Sequence, residues 1–159
     1  MKKFIIQIVI LLIFIFVAIG FWTNRITTIP FVPEKVDTKN VEINGKLLRV
    51  EIADTLTKRT KGLGGRESLA SGSGMLFMFP EEKQYSFWMK GLKFPIDIIW
   101  IKDQKVADII KNVPPPQEGQ EDNELPIYQP NQPVDMVLEV NVGTVDMLGI
   151  QIGDTIVVK

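Results

Sequence analysis

Cysteine and histidine are both missing from the 159 residues of this chain. That double absence excludes disulfides, thiol nucleophiles, imidazole bases, lipidation at a lipobox cysteine and the usual zinc ligand sets. The chemistry left belongs to carboxylates, hydroxyls, amines and guanidinium groups. A cysteine-free chain is indifferent to redox compartment, so it is compatible with an extracytoplasmic address without arguing for one. Excess charge is lacking as well, since 18 Lys and Arg face 19 Asp and Glu. Setting aside Lys2 and Lys3 leaves 16 basic against 19 acidic residues, which offers no electrostatic footprint for nucleic acid. Nothing in the sequence points to a cofactor or a metal. Glu118, Glu121, Asp122 and Glu124 cluster without the oxygen spacing and central glycine of a calcium loop, and read as a solvated acidic segment.

What is present begins with a long apolar run. From Phe4 to Trp22 the one polar side chain is Gln7, and at roughly 1.5 Å per helical residue such a run spans the ~30 Å hydrocarbon layer. Lys2 and Lys3 precede it and Trp22 closes it, so the positive-inside rule puts the N-terminus in the cytoplasm and the remainder outside. A cleaved signal peptide, which would make the protein secreted, is the rival reading. The run exceeds the usual h-region of roughly 7–15 residues, and Ala18-Ile19-Gly20 is a poor cleavage site. The expected organisation is a membrane anchor over residues 1–22, a tether containing Pro30 and Pro33 over 23–40, and one domain over 41–159.

Within that domain the patterns are short and mostly period-two. Val41 to Ile43 and Lys46 to Ile52 flank Asn44-Gly45, a dipeptide suited to a type I′ hairpin turn. Thr55 is placed to cap a short helix that ends at Gly62. Met75 to Phe79 reads as a buried strand stopped by Pro80. Tyr85 to Lys90 reads as a strand with Tyr85, Phe87 and Met89 on one face, and both faces partly buried. Ile96 to Lys102 and Lys105 to Val113 form a second hairpin about Asp103-Gln104, and Pro114 to Pro133 a long proline-rich acidic loop. Met136 to Asn141, a short helix from Gly143 to Leu148, and a last strand from Thr155 to Val158 complete the chain. Strands this short and closely spaced predict a mostly β, barrel-like domain with short helices, behind one N-terminal transmembrane helix.

Several of these residues also form an ordered set: Arg59-x-x-Gly62-Leu63-x-x-Arg66, Gly74-Met75-Leu76-Phe77-x-Phe79, Phe87-Trp88-Met89-Lys90, Pro95-Ile96-Asp97-Ile98, Leu138-Glu139, Gly143 and Gly153-Asp154. Together they resemble the domain-of-unknown-function 192 family from about Val41 onward. The resemblance implies a compact β-barrel-like domain, often behind a signal or membrane anchor, with no established biochemical activity. Gly64 stands where the family often has methionine, and Lys90-Gly91-Leu92 where it often has Lys-Asn-Thr.

Arg59 and Arg66 flank a glycine-rich loop and suit an anion or a carboxylate. Asp97 shares a strand face with Ile99 and Ile101 and needs a cation or several donors, which makes either arginine its expected partner. Trp88 with Tyr85 offers an aromatic platform for a sugar ring, against the blander alternative of core packing. Lys90 suits an anion or a strand end in water. Glu139 shares its face with Asp135, Val137 and Asn141, which reads as a solvated or lumen face. Arg59, Arg66, Trp88, Lys90, Asp97 and Glu139 are therefore the candidate ligand-binding residues, and the sequence offers no recognisable nucleophile–base set.

Three functions follow as expectations. The first is an envelope-facing accessory domain that binds a small ligand, an envelope glycan or an anionic molecule. The second is a carboxylate-dependent hydrolase of envelope carbohydrate using Asp97 and Glu139. The third is a protein-interaction module of a membrane assembly, its protein partner unknown, that uses the acidic loop.

Overall fold

The structure, a computed structural model, describes residues 36–159 together with Leu12, Ile13 and Ile15. Apart from those three residues, the anchor expected from Phe4 to Trp22 lies outside the described residues. Among the described residues no helix is long and apolar enough to cross a membrane. The chain divides into a unit ending at Lys35 and a unit from Val36 to Lys159, and the second carries the fold.

Seven strands form one sheet: β1 (Thr38–Ile43), β2 (Lys46–Ala53), β3 (Ser73–Lys83), β4 (Ile96–Lys102), β5 (Lys105–Val113), β6 (Val134–Asn141) and β7 (Ile156–Val158). Their order across the sheet is β5-β4-β6-β3-β2-β1-β7. Only β2 and β3 run parallel, and their crossover carries the helix α1 (Leu56–Lys61). A second helix, α2 (Thr144–Leu148), follows β6. The two edges meet at one end, where Gly153 and Val106, Val106 and Asp154, and Ile156 and Gln104 exchange backbone hydrogen bonds of 2.8–2.9 Å. The result is a half-closed barrel.

Both hairpin turns have the chemistry their sequences announce. Asn44 and Gly45 sit at φ 52° and 72°, and Asp103 and Gln104 at 49° and 61°, the left-handed pair that matches strand twist. Thr55 Oγ1 accepts from the Lys58 amide at 3.2 Å, capping α1 as expected. Two expectations are corrected. β3 continues through Pro80 to Lys83, because its register with β6 breaks between Met78 and Lys83, and proline's missing N–H costs nothing where the ladder is interrupted. Tyr85 to Lys90 is not a ladder strand but an extended segment with a single bridge, Phe87 to Tyr128. Its alternation holds, yet only one face is buried: Tyr85, Phe87 and Met89 turn inward while Ser86, Trp88 and Lys90 are exposed.

The sheet is covered on both sides. One apolar cluster fills the barrel interior with Val41, Val50, Leu76, Ile99, Leu138 and Val140. The other lies on the outer face of β3, β4 and β6, where Met75, Phe77, Ile98, Trp100 and Val137 pack under the segments carrying Leu63, Leu69, Met89 and Leu92. Burial on both faces is why β4 is apolar almost without alternation.

Candidate functional site

The sheet register assigns each acidic candidate to a side. Glu139 pairs across β6 with Met75 of β3 and Ile98 of β4, whereas Asp97 pairs with Val140. Residues in register share a face and neighbours along a strand alternate, so Asp97 points into the barrel and Glu139 to the outer cluster. The structure therefore does not bring Asp97 and Glu139 together, and a carboxylate pair across one bond has no geometric basis here.

Asp97 is 0% exposed, and neither arginine is its partner, contrary to expectation. Its Oδ1 accepts from the Asn112 amide at 2.9 Å and its Oδ2 from the Val145 amide at 3.1 Å. Asn112 stands at φ 56°, where the β4–β5 register shifts between Ile96 and Ile98. Such a bulge releases an amide from the ladder. Val145 lies in the first turn of α2, whose amides lack intrahelical partners. One carboxylate thus satisfies two backbone donors, of which that of Val145 is buried.

Arg66 is also taken. Its Nη1 and Nη2 donate to the two carboxylate oxygens of Glu51, each at 2.6 Å, the fork geometry that suits arginine. That pair draws the Glu51 carboxyl below its ordinary range, chiefly through the hydrogen bond. Glu51 sits opposite Met75 in the β2–β3 ladder, on the same sheet face as Glu139 and two strands away from it.

The remaining four candidates converge. Arg59, Trp88, Lys90 and Glu139 all line one open cleft of about 480 Å³, walled by side chains that include Leu56, Leu63, Phe77, Phe79, Tyr85 and Phe87. Arg59 Nη1 donates to the carbonyls of Asp54 and Met78, both at 2.8 Å, and its guanidinium lies 5.3 Å from the Phe79 ring centre. Phe79 in turn stacks on Tyr85 at 3.6 Å. Lys90 Nζ is 2.5 Å from Asp122 Oδ2 in the acidic loop and 5.6 Å from the Trp88 ring centre. Trp88 is 49% exposed, so it forms an open wall rather than core.

Glu139 differs from what its strand neighbours suggest. It is 4% exposed, and its Oε2 is buried with no hydrogen-bond partner among the described residues. Burial alone pushes its carboxyl up to about 8, so at neutral pH it is mostly an uncharged acid. The face is covered rather than solvated: Asp135 and Asn141 lie near the two ends of β6, while Val137 and Glu139 lie beneath the covering segments. Leu56, Lys61, Leu63, Phe77 and Phe79 also line the cleft, although none of them was a candidate from the sequence. Leu56, apolar and exposed at the start of α1, was the one signal available.

Comparison with known proteins agrees with this architecture. The family profile for DUF192, described as "Uncharacterized ACR", matches residues 39–158. A Sinorhizobium meliloti 1021 protein, provisionally assigned as a transcription regulator, is 32% identical over 78% of this chain and 95% of its own, with a TM-score of 0.69. A protein of unknown function from Novosphingobium aromaticivorans DSM 12444 is 29% identical over 80% of this chain and 89% of its own, with a TM-score of 0.67. No curated protein matches the chain.

Proposed function

The chain belongs to the domain-of-unknown-function 192 family, and from that membership and the cleft together we propose that it is a small-ligand-binding accessory domain, without catalytic chemistry of its own. One observation carries the reading: a buried carboxyl group with an unpartnered oxygen, Glu139, lies in the lining of an open cleft with aromatic walls. Burying a polar group without a hydrogen bond costs roughly 1–3 kcal/mol. A molecule that occupies the cleft and pairs with Glu139 recovers that cost.

The address is part of the proposal. Phe4 to Trp22 is long and apolar enough to hold the protein in the cytoplasmic membrane, and Lys2 and Lys3 favour an external domain. Envelope molecules are then the ligands within reach. The half-exposed Trp88 ring favours one with a flat apolar face, such as a sugar ring or an aromatic group. The transcription-regulator assignment of the Sinorhizobium relative is not carried over, because this chain has no basic excess with which to hold phosphates.

The test is a titration of the full chain in detergent with panels of glycans, anions and aromatic compounds, followed by amide NMR. Saturable shifts centred on Trp88 and Glu139, lost in Trp88→Ala, are expected. Saturable binding that leaves both residues unmoved, or no binding up to millimolar concentrations, would overturn the reading.

A further inference from the structure

The lining of the cleft narrows the ligand class. A sugar presents several hydroxyls, each of which needs a partner once buried. Here the walls are Leu56, Leu63, Phe77, Phe79, Phe87 and their aromatic neighbours. Of the three cationic side chains in the lining, Arg59 holds two carbonyls and covers Phe79, Lys90 is paired with Asp122, and Lys61 makes no bond to Glu139. What the cleft lacks is a donor for Glu139.

We infer that the cleft takes an apolar or aromatic amine, its body against the aromatic walls and its ammonium group donating to the unpartnered carboxyl oxygen of Glu139. This rests on the ligand-binding reading above. Aromatic faces attract cations, and the attraction is stronger when the ammonium beside the ring is desolvated. At Glu139 the ammonium meets a carboxylate shielded from water, where opposite charges attract strongly.

The groups around Glu139 permit this. Its register partners Met75 and Ile98 carry no charge. Arg59 and Lys61 from α1, and Tyr85 and Lys90 from the extended segment, are the titratable side chains that share its cleft. Of the others nearby, Glu51 lies beyond Met75 and is neutralised by Arg66, and Asp97 is on the opposite face. Burial is the sole cause acting on the Glu139 carboxyl, so none of those cations fills the role left for the ligand.

The inference fixes how binding depends on pH. Glu139 must release its proton to receive an ammonium, so affinity for the amine rises by about tenfold per pH unit as pH climbs from 6 towards 8. An uncharged ligand would bind the protonated acid and show no such rise.

The experiment is calorimetric titration of the full chain in detergent with 2-phenylethylamine, 2-phenylethanol and 3-phenylpropionate at pH 6, 7, 8 and 9. The amine is expected to bind at least tenfold tighter than the alcohol at pH 8, tightening from pH 6 with release of one proton. Glu139→Gln should abolish both the preference and the pH dependence. If the alcohol or the acid binds as tightly as the amine, or amine affinity is flat with pH, the amine inference falls and the cleft reading stands. If none of the three binds, while other compounds still perturb Trp88, the inference again falls alone. Should nothing at all perturb Trp88, the binding reading falls with it. The wild-type pH profile decides the matter even if the glutamine variant does not fold.

Discussion

Two buried carboxyl groups one strand apart have opposite fates, and the difference is a matter of donors. Asp97 has two backbone amides aimed at it, whereas Glu139 Oε2 has none. Replacing Asp97 by alanine leaves both amides without their acceptor, that of Val145 in the interior, and unfolding in urea should report a loss of about 1–3 kcal/mol. Asp97→Asn keeps one good acceptor and should cost less. For Glu139 the sign is the other way round. Its folded carboxyl titrates at about 8 against an ordinary 4.5, so the folded state holds a proton that the unfolded chain releases. Its contribution is complete below pH 4.5 and is lost as pH rises to about 8, at a slope on the order of 1.4 kcal/mol per pH unit. Stability measured across that range should fall in the wild type, and Glu139→Gln should remove the fall.

At the level of elements, what could be read in the sequence was what is local. Asn44-Gly45, Asp103-Gln104 and the Thr55 cap act through their own backbone, and each forms where its residues require it. The period-two alternation from Tyr85 to Lys90 survives even though no ladder supports it, because an extended chain against an apolar surface alternates regardless of hydrogen bonding. Pairings across the fold were not legible. That Asp97 would meet Asn112 depends on a bulge in β5, and that it would meet Val145 depends on where α2 starts. The buried state of Glu139 depends on segments Leu63 and Met89, far away in sequence, folding over β6. Four of the six candidate residues do share one cleft, while Arg66 and Asp97 are absorbed by structural partners.

For the whole molecule, closure of the sheet is the feature on which most depends. β7 pairs with β1 along one edge, while the turn before it bonds to Val106 and its own Ile156 amide donates to the Gln104 carbonyl at the other. Removing Ile156 to Lys159 would expose the edge of β1 and uncover Val41 and Ile43, both fully buried now. Hydrogen exchange on that variant should show lost protection in β1 and at the β4–β5 turn. Protection in the β3–β6–β4 centre should persist longer, because those strands keep both neighbours.

The same closure also sets an order of events in time. The first strand finds its second neighbour only among the last residues of the chain, Val41 opposite Val158. Pairings of such long sequence separation form slowly. A chain made from its N-terminus onward therefore emerges with β1 half-paired, and the barrel can close only once Ile156 to Val158 have emerged as well.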